Sequence, residues 1–393
     1  MAKNESKPIS VLMMGPKRVG KSSVLASMLR SLELMQTQTG VSFEPDETTN
    51  TLMRTKLADL RRIYDLHLIG DEFETQSGTA KGEAYAARSE ERVSYRFSLS
   101  ATAEKKRGKT VNEVTEKICD IEFTDIMGED LNRRQDDIVK RVQESSVIVL
   151  AVDSVALMEL DEYGGSWNEL VNFPLQVRSI LTRAYSEAEE HRPQLVLMVP
   201  LKCEKYYWQP GGMDRLNARV KESYRELLAF LDNYDDFSIA ITPILTLGDV
   251  QFSRFDEETG EYSPLYTFRT EDEHGASHTP AYSPRFCSQP LCYIAGFILA
   301  MDEYAQRKEN EEAKENSSLF KELLKRAFVV FAGGLLGLAV FEMVMLLRKR
   351  PEIRLKIEQL TANIKSEGDG YEMLQDGLGI LGARDSAQQK AQD

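Results

Sequence analysis

The chain has 393 residues, 42% hydrophobic and 28% charged, enough apolar material for one large globular domain or two. A net charge of −14 excludes a nucleic-acid-binding surface spread over the whole molecule, and no nucleic-acid partner is expected. Cys119, Cys203, Cys287 and Cys292 lack metal-ligand spacing and the N-terminal MAKNESKP has no apolar signal core, so a reducing cytosolic setting without disulfides is expected.

Ile9 to Met14 is an apolar run that reads as a buried strand, and Val24, Leu25, Met28 and Leu29 follow at helical spacing. Between them Gly15, Pro16, Lys17, Arg18, Val19, Gly20, Lys21, Ser22 and Ser23 fill the phosphate-loop pattern G-x-x-x-x-G-K-[ST]. In that pattern the glycines let backbone N–H groups close round the phosphates, the lysine reaches the β/γ oxygens and the hydroxyl binds Mg²⁺. The helix that starts near Lys21 aims its positive end at the same anion. Residues 15 to 23 are therefore the candidate nucleotide-binding loop, with Ser22 as a metal ligand.

The helix continues to Met35, and residues 37–50, with Gly40 and Pro45, break it. Leu52 to Leu68 reads as a second helix, and Gly70 to Glu90 as a polar loop. Val93 to Leu99 and Ile118 to Phe123 alternate as strands about the basic turn Lys105 to Lys109, giving a hairpin with a solvated, charged tip. The second strand ends in Asp125-Ile-Met-Gly128, and an aspartate at the end of an apolar strand is where a phosphate-loop protein holds Mg²⁺.

Phosphate loop, polar loop, antiparallel hairpin and D-x-x-G, in that order, resemble the GTPases related to translation factors and Ras, in particular a divergent bacterial-type branch. The resemblance implies an α/β fold: a mostly parallel sheet with helices on both faces and one antiparallel hairpin strand. It implies GTP and Mg²⁺ as ligands, with Lys21 on the β/γ-phosphates and Ser22, Asp125 and a loop threonine on the metal. Thr79 is the first choice for that threonine and Thr75 the second. Gly128 would offer its N–H to the γ-phosphate. Glu129 stands where many small GTPases have the glutamine that orients water, so slow hydrolysis is expected.

Val147 to Asp153 and Leu195 to Pro200 are continuous apolar runs, as central parallel strands are. After the second comes Leu201-Lys202-Cys203-Glu204, where the resemblance places N-K-x-D. Lys202 matches, Glu204 is a conservative change and Leu201 departs. Ile239 to Leu245 is the last expected strand, and Thr246 falls in the family's base-contacting loop. Gln251 to Ser288 reads as a loop, in which His274 and His278 are expected to be structural rather than metal ligands.

Residues 1–305 read as the nucleotide-binding domain, closed by the apolar helix Leu291 to Met301, and 306–326 as a charged helical linker. Ala327 to Leu347 carries one charge, Glu342, and is long enough for a hydrocarbon layer of about 30 Å, so a C-terminal hydrophobic, transmembrane helix is expected there. Gly333 and Gly337 offer a small-residue face for self-association. Residues 348–393 read as a basic-to-polar tail, disordered from Ser386 to Asp393. Together these features predict a membrane-anchored GTPase switch with its catalytic domain in the cytoplasm and a protein partner at the switch loops. An assembly-driven membrane-acting effector, as in bacterial defence, and a nucleotide-binding scaffold with negligible turnover stay open beside it.

Overall fold

The computed structural model describes residues 8–74, 93–107, 110–126, 128, 130–159, 166–188, 191–256, 263–272, 275–313, 343–367 and 370–380. Its strands are β1 (Ile9–Met14), β2 (Val41–Pro45), β3 (Ser94–Arg107), β4 (Thr110–Asp125), β5 (Val147–Asp153), β6 (Gln194–Leu201), β7 (Phe237–Ile241), β8 (Val250–Asp256), β9 (Ser263–Phe268) and β10 (Glu372–Asp376). The longer helices are labelled α1 (Lys21–Thr39), α2 (Glu47–Leu66), α3 (Gln135–Glu144), α4 (Pro174–Ser186), α5 (Gly212–Ser223), α6 (Gln289–Ala313) and α7 (Pro351–Glu367).

Eight strands form one sheet in the order β10-β7-β6-β5-β1-β4-β3-β2, and β8 pairs with β9 in a separate ribbon. β4, β1, β5, β6 and β7 run parallel, while β3, β2 and β10 are antiparallel to their neighbours. The continuous apolar runs become the centre, because both faces of a parallel sheet are covered. Along β5, Val147, Val149 and Ala151 join the core on one face and Ile148, Leu150 and Val152 the core on the other. α1, α6 and α7 cover the first face, and α3, α4 and α5 the second. The α/β class, the mostly parallel sheet and the antiparallel strand beside β4 are as expected from the sequence.

Several boundaries differ from that reading. Residues 37–50 are not all turn: Gly40, in left-handed conformation, caps α1 by donating to the Gln36 carbonyl, and the chain turns directly into β2 at the sheet edge. α2 then starts at Glu47, earlier than expected, because the Asp46 carboxylate accepts from the Thr49 N–H at 2.7 Å and caps it. Within Gln251 to Ser288, expected as loop, lies the β8–β9 ribbon.

The largest difference is at the C-terminus. Ile353, Ile357, Leu360 and Ile364 put an apolar stripe of α7 into the core beside α6, and β10 extends the sheet from β7. Gly296 on α6 permits this approach, since a Cβ there would stand 2.7 Å from Ile380 Cγ2. Asp302 is fully buried, accepts from Arg348 Nε at 2.8 Å and pairs with Arg354, while Arg350 pairs with Glu116 of β4. The residues read as a tail are therefore part of the sheet domain, and a boundary at 305 would strip it of α7 and β10. Residues 343–349 are helical, with Met343, Val344 and Leu347 buried against the domain. The rest of the expected transmembrane segment, with Gly333, Gly337 and Glu342, lies outside the described residues, as does Ser386 to Asp393. Among the described residues no apolar C-terminal helix appears, and no helix is long and apolar enough to cross a membrane.

Candidate functional site

The phosphate loop sits where the parallel strands end. β1 stops at Met14, and Gly15 follows at φ 141°, so close to β5 that a Cβ would stand 2.5 Å from the Ala151 carbonyl oxygen. Only glycine fits there. Lys17 and Arg18 are exposed at the crest, Arg18 in left-handed conformation, while Val19 is buried and pins the loop down. Gly20, at φ 113°, opens α1, whose first turn carries no acidic residue to neutralise its positive end. Ser22 and Ser23 lie in that first turn.

Lys21 is 7% exposed and folds over its own loop, donating to the Gly15 and Pro16 carbonyls at 3.2 and 3.1 Å. Its ammonium is 3.5 Å from the buried Asp125 Oδ1. Strand register brings the two together, because Asp125 pairs with Met13 of β1, just before the loop. Burial pushes the Asp125 carboxyl up from its ordinary range against the opposing pull of Lys21. A buried carboxylate oxygen beside a hydroxyl-bearing helix start suits a hard divalent cation, which takes oxygen ligands. Ser22 and Asp125 thus fit Mg²⁺.

Gly128 reaches the same place from the other side. A Cβ on it would stand 2.5 Å from the Lys17 nitrogen and 2.9 Å from the Pro16 carbonyl carbon, so its backbone rests on the phosphate loop. The D-x-x-G segment and the loop, far apart in sequence, form one cradle. Glu129, Thr75 and Thr79 lie outside the described residues.

On the other flank, where β5 and β6 end, the expected base-reading residues face inward. Leu201 is fully buried, with Cδ1 3.9 Å from where a Gly20 Cβ would be. Lys202 is left-handed at φ 57°, and its ammonium donates to Asp153 Oδ2 at 2.6 Å. Burial lowers the pKa of this lysine, but Asp153 and Tyr266 outweigh burial and leave it raised. Asp153 is itself tied down: its other oxygen accepts from the Val155 and Ala156 N–H groups, and Asn172 brackets its backbone. Glu204 is 3% exposed, and Oε1 accepts from the Leu247 N–H at 3.1 Å. Burial pushes the Glu204 carboxyl up to about 7, against the backbone N–H groups of Glu204, Leu247, Gly248 and Thr246. Thr246 is buried, and its carbonyl accepts from Ser27 Oγ at 3.3 Å.

Lys202, Glu204 and Thr246 are thus brought to one flank of the loop, but their polar groups are spent on the protein. Sequence reasoning did not single out Asp153, Asn172 or Tyr266, which hold this flank. The one available signal was Asp153 at the end of an apolar strand. Nor did it find the partner of His278, whose Nε2 is 2.6 Å from Asp249 Oδ2, with Arg269 at 2.6 Å on the other oxygen. His274 lies outside the described residues, and among those described no three His, Cys, Asp or Glu side chains group as a metal site. The chain matches no protein-family model and has no significant similarity to any curated protein.

Proposed function

We propose that this chain is a P-loop GTPase that binds GTP with Mg²⁺, hydrolyses it slowly and acts as a nucleotide-dependent switch for a protein partner. The observation that carries the reading is the approach of Gly128 to the Lys17 nitrogen, beside the buried Asp125 carboxylate that faces Lys21. A loop built only for structure has no need of a glycine from another segment pressed on its backbone and a buried carboxylate facing the loop's own lysine. Lys21 turns from the Gly15 and Pro16 carbonyls to the β/γ-phosphates. Ser22 and Asp125 hold the cation, which when bound neutralises charge on those oxygens. Gly128 reports the γ-phosphate through its N–H, and the segments on either side of it carry the change outward. At 129 a carboxylate replaces the water-orienting amide, and its charge opposes the negative charge that develops on the phosphate.

The guanine preference rests on the D-x-x-G layout and on Lys202 with Glu204, so competition binding tests it. GTP is expected to displace labelled GTP from the full-length protein much better than ATP does. Equal displacement makes the protein a P-loop ATPase of unusual layout. Membrane association through the apolar stretch expected at 327–347 belongs to the same proposal, but not as a simple spanning helix over that whole range, since Met343, Val344 and Leu347 are buried against the domain. Because Arg348 reaches Asp302, the chain on either side of 314–342 emerges from one part of the domain, so residues 348–380 belong on the P-loop side of any bilayer. Carbonate and detergent fractionation of the protein and of Leu338→Arg tests the anchor. A native protein that stays soluble without detergent or partner removes it.

A further inference from the structure

The outer face of α2 and the turn that follows it play no part in the phosphate loop or its flanks. Among the described residues Leu66, Leu68 and Ile69 are 47, 74 and 63% exposed, which is unusual for large apolar side chains. All three stand within four residues at the end of α2. A single exposed leucine needs no explanation, whereas a cluster marks a contact surface. The cluster is firmly built. In the turn from Leu68 to Asp71, the Asp71 N–H donates to the Leu68 carbonyl at 3.1 Å and the Leu68 N–H donates to Asp71 Oδ2 at 2.9 Å. Gly70 takes φ 94°, and a Cβ there would meet nothing within 4 Å, so glycine is needed for the shape of the turn and not for a close approach. His67 stacks on the buried Phe73 with ring centroids 4.0 Å apart and fixes the root of the turn. Apolar side chains held out on a closed turn lose little freedom when they are covered.

The same surface continues back along the helix. Thr51, Thr55, Ala58, Arg62 and Leu66 recur every three or four residues, with Asp65 beside them, so they share one side of α2, and all of them are exposed. The Thr51 and Thr55 hydroxyls are spent on their own helix, donating to the Glu47 and Thr51 carbonyls at 2.9 Å each. What this side offers a neighbour is therefore small groups toward its start, apolar bulk at its end, and one cation and one anion between them. Neither Arg62 nor Asp65 has an ion-pair partner among the described residues.

We propose that this face pairs with the same face of a second copy of the chain, the two α2 helices running antiparallel and crossing at residues 63 and 64. A closed two-fold contact needs a patch that is complementary to itself. In this register Arg62 of each copy meets Asp65 of the other, and the turn with Leu68 and Ile69 comes over Ala58 of the other copy, where no bulk opposes it. An anionic lipid surface is the poorer match, because residues 65–74 carry four carboxylates and no lysine or arginine. The pairing stands apart from the nucleotide reading of the phosphate loop and from any contact through Gly333 and Gly337.

Sedimentation equilibrium of the full-length protein in density-matched detergent reads the pairing. The native chain is expected to dimerise reversibly, and Ile69→Asp, on an exposed turn where the fold is not at stake, is expected to weaken the dimer about tenfold or more. Arg62→Asp alone sets aspartates of the two copies against each other, and Asp65→Arg alone sets arginines against each other, so each is expected to weaken self-pairing about tenfold. An equimolar mixture of these two variants restores both ion pairs and is expected to form a mixed dimer of native affinity. A native chain that stays monomeric, a dimer indifferent to Ile69→Asp, or a mixture no tighter than its parts overturns the proposal. So does a dimer that Ile69→Asp leaves intact and Gly333→Leu with Gly337→Leu abolishes, which places the contact in the apolar stretch. A monomer whose sedimentation with vesicles of phosphatidylcholine and phosphatidylglycerol is lost in Ile69→Asp gives the face to lipid and overturns it as well.

Discussion

The two flanks of the loop at residues 15 to 23 are built on different principles. On the flank proposed to hold phosphate the features are backbone ones: Gly15 against β5, Gly128 against Lys17, and the bare N-terminus of α1. On the base flank they are side chains, and each is already engaged, Lys202 with Asp153 and Glu204 with the 246–248 backbone. Backbone recognition tolerates little change, since a Cβ at either glycine meets another strand or loop. Side-chain recognition can be rewired, and here Leu201 stands where the resemblance implies asparagine. On the proposed function the phosphate flank would set what is bound, and the base flank is where this chain departs from the pattern that the resemblance implies.

The sharpest way to break the contrast is Lys21→Ala. It removes the cation that faces Asp125 and that is proposed to meet the phosphates, and nucleotide affinity is expected to fall on the order of a hundredfold by isothermal titration. The fold is expected to survive, because the hydrogen bonds of the lysine go to carbonyls of its own loop rather than to the core. Unchanged affinity would remove the loop from function. Gly128→Ala comes next. Its methyl group would stand 2.5 Å from the Lys17 nitrogen, so loop and D-x-x-G segment must separate. Losing one hydrogen bond to a charged phosphate costs triphosphate affinity roughly ten- to hundredfold, with diphosphate affinity nearly kept. Equal losses for GTP and GDP would mean that Gly128 only shapes the loop.

What could be read in the sequence follows the same division. Residues 9 to 23 are contiguous, so strand, loop and helix announce themselves locally, and Asp125 with Gly128 followed from their order after an alternating strand. The base flank depends on contacts between distant segments, Asp153 with Lys202 and Tyr266 with Phe73, that no local pattern encodes. β2 was hidden because it is short and ends in Pro45, and the ribbon because turn-forming residues surround it. At the C-terminus the stripe Ile353, Ile357, Leu360 and Ile364 was present at helical spacing. Beside the longer apolar run before it, its charged neighbours Arg354, Lys356 and Glu358 made it look like tail. The structure gives those charges partners or solvent, with Arg354 bonded to Glu303 at 3.1 Å and Glu358 at 2.9 Å.

The smallest expected effect sharpens the comparison through pH. Both flanks bury a carboxyl group, but Asp125 faces Lys21, whereas Glu204 is met by backbone N–H groups without a cation close enough to bond it. The Glu204 carboxyl is raised from 4.5 to about 7 in the folded protein. Between those values the folded state keeps a proton that the unfolded state has released, so the contribution of Glu204 to stability falls as pH rises and levels off above about 7. Glu204→Gln stays neutral throughout and still offers an oxygen to the Leu247 N–H. Its melting temperature relative to the native protein is therefore expected to climb from pH 5 to pH 8. The gain is bounded at about 3 kcal/mol, from roughly 1.4 kcal/mol per pKa unit. A difference between the two proteins that does not change with pH would show that Glu204 is not the group titrating. In that case its carboxylate is held ionised by the loop at 246–248, and the base flank is as electrostatically settled as the phosphate flank.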